Sequence, residues 1–531
     1  MSFAEKIAEI NSAINGVVWG VPMIILILAV GLWLTGGSGL VQFRHFGYAM
    51  KNTLGKIFKQ QKTADKGAVT PFQAVTTALA STVGTGNIAG VAGAIAIGGP
   101  GAVFWMWIMA SVGSASAFVE STLAQTWKVK AGEGEFRGGP AYYIHQALHS
   151  RKLGIVFAIS LILCFGLGFN GLQTYNMSSS LNLYVDNFLA TMSLSDAQLA
   201  TITDAMYRVI HLAVGIIIAV VLAFVLFGGT RFITFLTSII VPIMAVGYIL
   251  LAVIMVIMNI GELPAVFGLI FSEAFDISSI TGGFAGSMIV WGIKRGLFSN
   301  EAGMGSAPNA AASASVSHPA KQGLVQTFSV FLDTMIICTC SATMIMLYVA
   351  PDIGITAFGG GTGEAANGGM PLVQGTLESG FGVLGLHFMT IAIFAFAFSS
   401  LVGNYYYAES NLKFITDSKV SLVVFRILCC VVVFLSAQSN LTLAWNLADI
   451  FMGIEAVINI VVILILGKWA FAILKDYERQ KAQGLDPVFV ADTIPDMPKT
   501  ECWHQSAKEL HEHDAQIHQS SVVEDLLETM A

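Results

Sequence analysis

Charge is what this sequence has least of. Asp, Glu, Lys and Arg together make up 11% of its 531 residues, where a soluble domain carries roughly a quarter. That scarcity excludes an ordinary soluble globule and points to a chain folded in a bilayer. Cysteine is sparse as well. Cys164, Cys338, Cys340, Cys429, Cys430 and Cys502 show no metal or redox spacing, and all but Cys502 lie in apolar runs. This excludes a disulfide framework or thiolate centre and leaves buried free thiols. The apolar segments hold no Ser–His pair and no His/Asp/Glu cluster, and no nucleotide loop occurs. Gly84-Thr85-Gly86-Asn87 lacks the strand, spacing and lysine of a phosphate cradle. An enzyme and an ATP-driven pump are therefore excluded. A channel would need pore-lining rings or a selectivity filter, usually in a shorter, oligomeric chain. Polar Met1–Asn15 precedes the first apolar run, and no small-residue cleavage site follows that run, so no removable signal peptide is expected.

What the chain has is apolar length. Hydrophobic residues make up 55%, and the 54 glycines suit closely packed membrane helices. Runs of roughly 20 apolar residues predict eleven spans, near 17–36, 70–97, 101–127, 153–175, 207–228, 231–259, 281–315, 322–350, 382–408, 420–438 and 441–474. Loop 41–69 carries Arg44 and five lysines against Asp65 alone, and loops 128–152, 229–231, 316–321 and 409–419 hold the nearby basic residues. The alternating loops 176–206, 260–280 and 351–381 contain acids and no Lys or Arg. The positive-inside rule then places the N-terminus outside and the tail in the cytoplasm of a cell bounded by the plasma (inner) membrane. The formal charge of −7 belongs to the tail. Residues 476–531 hold 12 acids against 4 bases, leaving 21 against 22 for the remainder. No nucleic-acid partner is implied. Beyond 475 the chain reads as a polar, acidic, solvated appendage; its His504, His511, His513 and His518 match no defined metal site.

The second span is interrupted at its centre by Ser81-Thr82-Val83-Gly84-Thr85-Gly86-Asn87, and the seventh by Ser299-Asn300-Glu301-Ala302-Gly303-Met304-Gly305-Ser306. Glycine loosens a helix, and Asn, Thr and Glu bring polar groups into hydrocarbon. Such sequences predict broken helices whose freed backbone lines an enclosed cavity. With the first span peripheral (domain 1–69), the others divide five and five, into 70–259 and 281–474, with 475–531 as tail. Repeats of five cross in opposite senses, the inverted arrangement of secondary transporters with a midplane site. The expected fold is thus an all-α, multi-span membrane protein of about 11 helices.

Three runs carry a family resemblance. Gly84-Thr85-Gly86-Asn87-Ile88-Ala89-Gly90-Val91-Ala92, Gly98-Gly99-Pro100-Gly101-Ala102-Val103-Phe104-Trp105-Met106-Trp107 and Gly296-Leu297-Phe298-Ser299-Asn300-Glu301-Ala302-Gly303-Met304-Gly305-Ser306-Ala307-Pro308 resemble the signatures of the alanine/glycine:cation symporter family, over about residues 15–475. The resemblance implies a LeuT-type 5+5 inverted repeat and sodium-coupled uptake of small neutral amino acids such as alanine and glycine. Sodium is the coupling ion and no cofactor is implied. It leaves the oligomeric state open.

Both charges of a zwitterionic substrate need partners in a low-dielectric site. The N–H groups of Thr85, Gly86 and Asn87, with Thr82 and Gly84 beside them, suit the carboxylate; the alternative is a small-residue packing motif. Phe298, Ser299 and Met304 should flank the cavity. Asn300 and Glu301 are candidates for the ammonium, although Glu301 could instead pair with Lys294 or Arg295. Asn170 and Gln173 share a helical face and either reach the site or bond neighbouring helices. For sodium, the carbonyls of Ala80 and Val83 carry partial negative charge, and the resemblance implies that Ser399 and Ser400 complete the site. Back-bonding to their own helix is the alternative for these serines. Glu301 keeps proton coupling open. Glu120 and Asp333, on cytoplasmic halves, read as structural pairs, an inner gate or a proton route.

Overall fold

Helix after helix begins where the sequence puts a proline in the first turn, at Pro22, Pro71, Pro140, Pro264, Pro308 and Pro319, where its missing N–H costs nothing. At Pro71 a capping box reinforces the start: Gln73 N–H reaches Thr70 Oγ1 and Thr70 N–H reaches Gln73 Oε1, each at 3.1 Å. The computed structural model describes residues 11, 13–53, 69–132, 135–193, 195–275, 288–353 and 369–503. Among these, eight helices are long and apolar enough to cross a membrane, and a bent pair makes a ninth. Three further apolar segments are helical but shorter or interrupted, Val21–Gly37, Leu263–Glu273 and the pair Met288–Asn300 with Ala307–Ser313. A two-stranded antiparallel hairpin, Val129–Gly132 with Glu135–Arg137, joins the helices Gly101–Thr126 and Pro140–Ala147.

The layers follow from which side chains meet lipid. Asp196–Phe227 and Thr230–Met258 are each 33% buried over their most apolar window, while Gly101–Thr126 and Pro319–Leu347 are 67% buried. The peripheral helices expose Val220, Phe224, Ile243 and Ile257. A solvated protein would hide these, and here hydrocarbon is their solvent. The central helices use small and polar residues against one another: Gly101–Thr126 buries Ser114, Ser116, Glu120, Ser121 and Thr122.

Both interruptions are present. The first is sharp: Pro71–Thr82 ends at Val83, a 3₁₀ turn occupies Thr85–Asn87, and Ala89–Gly98 departs at 60°. In the second, Glu301, Gly303 and Gly305 have φ of 56°, 92° and 90°, a left-handed run that no helix passes through.

The tail departs from the expectation of a solvated appendage. The last long helix runs from Leu441 to Ala482, and residues 486–503 then fold back onto the protein. Phe489 N–H bonds Ser317 O and Trp503 Nε1 bonds Gln125 O, each at 2.9 Å. Phe489 and Trp503 are buried. Much of the basic loop (54–68), the acids Asp276 and Glu364, and His504 to His518 lie outside the described residues.

Candidate substrate and ion site

Asn87 links the two interruptions. Its Oδ1 accepts the Gly84 N–H at 3.0 Å and ties the 3₁₀ turn together. Its Nδ2 donates to Asp333 Oδ1 at 2.7 Å and to Ser299 Oγ at 3.0 Å. Its carbonyl accepts Ser341 Oγ at 2.5 Å. Ser299, in the last turn of Met288–Asn300, donates to Asp333 Oδ2, which also accepts Thr334 Oγ1 at 2.9 Å. Asp333 projects from a π-helical stretch, Phe331–Cys338, a distortion frequent at functional sites. Asp333 lies against both breaks, because the π-turn carries it there.

Glu301 centres a second cluster. Ser81 Oγ reaches its Oε1 at 3.0 Å and Ser306 Oγ its Oε2 at 2.6 Å. Ser81 Oγ also lies 2.6 Å from Asn404 Oδ1, and Asn404 Nδ2 lies 3.0 Å from Asn170 Oδ1. One hydroxyl hydrogen cannot serve both Glu301 and Asn404. Flipping the amides of Asn404 and Asn170 together resolves the conflict. The alternative pairing of Glu301 with Lys294 or Arg295 is overturned, since both bases pair with Asp449, at 2.6 and 2.9 Å. No basic side chain contacts Glu301 or Asp333 among the described residues. Two buried acids without a base favour a proton or a cation as the compensating charge.

The helix Asn170–Ser179 closes one side. Gln173 Oε1 accepts the Thr85 N–H at 3.0 Å, and Asn176 Nδ2 donates to Thr85 Oγ1 at 2.9 Å. Of the three backbone donors expected to face a substrate carboxylate, Asn87 N–H bonds Gly84 O at 3.2 Å and Thr85 N–H is taken by the Gln173 side-chain oxygen, as the neighbouring Gly84 N–H is by that of Asn87. Phe298 covers the break: a methyl at Gly86 would lie 2.4 Å from Phe298 Cδ1, so only glycine admits the ring. Phe169 and Trp445 flank Phe298 with ring centroids 4.5 and 5.3 Å away. Asn300 turns to Thr334 at 3.1 Å. Met304 does not join the polar cluster; it sits in the apolar core, its N–H on Glu301 O at 3.0 Å. Thr82 is buried in the last turn of Pro71–Thr82.

Of the cation candidates, Ser400 reaches the first break. Its Oγ donates to Ser81 O at 3.0 Å and would stand 2.4 Å from a methyl at Gly84. Ser399 back-bonds to Phe396 O at 2.9 Å and lies 3.5 Å from Met244 Sδ. The carbonyls of Ala80 and Val83 lie at the end of the same half-helix as Ser81, so Ser400 stands beside a row of backbone oxygens suited to a hard monovalent cation.

Several residues of this cluster escaped the sequence reading: Ser81, Asn176, Thr334, Ser341 and Asn404. Asn404 was open to discovery, because it follows Ser400 by four residues and shares its helical face. So were Asn176, three residues after Gln173 on one helix, and Ser81, which opens the first interrupted run, whereas Thr334 and Ser341 come from a separate stretch with no motif of its own.

Comparison with known proteins gives one consistent result. The sodium:alanine symporter family matches residues 4–491. The chain is 45% identical over 502 residues to the amino-acid carrier protein AlsT of Bacillus subtilis, covering 94% of this chain and 99% of that protein. It is 40% identical to the probable sodium/glutamine symporter GlnT of the same organism, covering 95% and 97%. It is 37% identical to the sodium/alanine symporter AgcS of Methanococcus maripaludis, covering 86% and 94%.

Proposed function

The chain belongs to the sodium:alanine symporter family, an integral membrane transporter and not an enzyme, and on that premise we propose that it couples inward sodium flow to uptake of a small neutral amino acid by alternating access. The observation carrying this reading is the meeting of two broken helices at one buried cluster, Asn87–Ser299–Asp333. A fixed site between two mobile halves requires such a meeting point. In this reading the eleven apolar segments all cross the plasma membrane, with the N-terminus outside and the tail inside. Residues 70–259 and 281–474 form the two inverted repeats of a LeuT-type fold.

The substrate carboxylate takes the N–H groups of Thr85, Gly86 and Asn87, displacing Gln173, with Thr82, Gly84 and Asn170 alongside. The ammonium faces Ser299, Asn300 and Glu301. Phe298 caps the methyl of alanine or the hydrogen of glycine, with Met304 in the surrounding wall. Sodium is held by carbonyls of Ala80 and Val83 with Ser400, and by Ser399 after its back-bond is released. GlnT's name attaches a larger side chain to a relative of comparable identity, so alanine, glycine and glutamine belong in one competition series.

Uptake of labelled alanine into proteoliposomes under an inward sodium gradient tests the reading, with potassium and proton gradients as controls. Accumulation driven by sodium alone and lost in Ser400→Ala supports it. Proton-driven accumulation would instead favour a second reading, which rests on the absence, among the described residues, of a base beside Glu301 and Asp333. No accumulation of any small amino acid under any gradient would remove the substrate assignment.

A further inference from the structure

Above Phe298 and Trp445, on the side away from the Asn87 cluster, lies a cavity of about 320 Å³ with Lys294, Arg295 and Asp449 in its wall. Arg295 is held in place by a bidentate ion pair and a ring contact. Its two terminal nitrogens bond the two Asp449 oxygens at 3.0 and 2.9 Å, and its guanidinium stacks 4.0 Å over Trp445. Lys294 reaches the same carboxylate at 2.6 Å and Asn15 Oδ1 at 3.0 Å. A lysine ammonium has three N–H groups, so among the described residues one is left for a ligand. Trp19 and Trp291 lie 5.6 and 5.3 Å from Lys294 Nζ. Ring faces attract a cation but do not neutralise it.

The balance is two cations against one carboxylate, so among the described residues this wall carries one net positive charge. Both cations are buried, at 6% and 2% exposure, where water does little to screen them. Holding an extra buried cation is costly unless an anion meets it. The cavity is open to such an anion, and Gly93 in its wall has nothing within 4 Å of where a methyl would sit.

We infer that this cavity is a binding site for a small monovalent anion, taken by the spare N–H of Lys294 and the uncompensated charge beside it. Two sources share that chemistry: the α-carboxylate of an amino acid entering the protein, and a free halide. The floor of this site is the roof of the Asn87 cluster, since Arg295 Cζ lies 5.8 Å from the Phe298 ring. A carboxylate held here waits one aromatic layer from the broken helices. The site rests on the charge and shape of the cavity and not on the transport reading, so each can fail without the other.

The test is equilibrium binding of labelled propionate, which is alanine without its amino group, to purified full-length protein in sodium- and chloride-free buffer. Saturable binding is expected in the wild type and in Asn87→Ala, which disables the deeper cluster. Lys294→Gln leaves the Arg295–Asp449 pair intact and should weaken binding roughly tenfold or more, as loss of a charge-assisted hydrogen bond does. Lys294→Arg should restore most of it, separating a ligand role from a folding role. Added chloride that displaces propionate at similar concentration assigns the site to halides; failure of chloride to compete assigns it to carboxylates. Binding lost in Asn87→Ala but kept in Lys294→Gln would overturn the inference, as would no saturable binding of either anion.

Discussion

At the scale of single residues, Asn87 has the most to lose. It joins the Gly84 turn to Ser299 and Asp333, and alanine would leave Asp333 and the Gly84 N–H short of a partner. Each such buried group costs about 1–3 kcal/mol. Asn87→Ala should abolish uptake while leaving the protein expressed and in the membrane; retained uptake in proteoliposomes would remove the first break from the mechanism. Asp449→Asn should do the opposite, acting first on stability. Two buried cations would lose the one carboxylate that meets them among the described residues, at about 3–5 kcal/mol, visible as a lowered apparent Tm and reduced yield of monodisperse protein. The residue scale also divides what the sequence could tell from what it could not. Thr85, Asn87, Gln173 and Ser299 were legible because polar residues stand out in apolar runs, and Ser400 only through the family resemblance. The partner of Glu301 was not. Lys294 and Arg295 lie on the same half-helix and invite a local ion pair, but their charge is spent on Asp449, 154 residues from Arg295. Only tertiary structure brings that acid near.

At the scale of elements, the two breaks are held open differently. The first is a 3₁₀ turn closed by its own asparagine. The second is a left-handed run clamped from outside: Glu120 Oε1 accepts the Gly303 N–H at 3.2 Å, and Asn459 Nδ2 donates to Gly303 O at 2.9 Å and to Glu120 Oε2 at 2.8 Å. Tyr143 completes the clamp on Asn459 Oδ1 at 2.5 Å. Glycine spacing in the sequence announced that a break exists, while the clamp draws on three other helices and left no local trace. Gly305 has φ of 90°, and a methyl there would lie 2.5 Å from Pro140 Cγ and 2.9 Å from Asn459 Cγ. Gly305→Ala should therefore pay both strain, of order 1–3 kcal/mol, and a clash with the clamp. Uptake should fall below detection, with apparent Tm lowered as well. Wild-type uptake by Gly305→Ala would mean that this break is not part of the moving machinery.

At the scale of the whole molecule, the end opposite the Lys294 cavity is strapped by the tail. Residues 486–503 bridge the end of the Gly101–Thr126 helix to the Ala314–Lys321 connection, through Trp503 on Gln125, Phe489 on Ser317 and Asp486 on Lys321 at 2.7 Å. Nothing in the composition of an acidic, proline-punctuated tail foretold this, because its anchoring depends on two aromatic residues, Phe489 and Trp503, finding pockets built by distant helices. Lys128 lies beneath the strap. Its Nζ donates to Ala314 O at 2.9 Å and sits 4.0 Å from the centre of the Phe136 ring and 5.1 Å from that of Trp503. Burial among these rings pulls the ammonium down to about 7 from its ordinary 10.5. The unfolded chain therefore binds more protons than the folded one between about pH 7 and pH 10.5, and stability rises with pH across that window. Below about 7 both states hold the proton and the cost of burying it is fully present. Apparent Tm should thus climb from pH 7 toward pH 9, and Lys128→Met, which carries no proton to lose, should flatten the climb and raise Tm at pH 7. Trp503→Ala should flatten it too, by admitting water to the ammonium, but with a lower Tm throughout. An unchanged slope in both variants would place the pH dependence elsewhere and reduce the strap to passive packing.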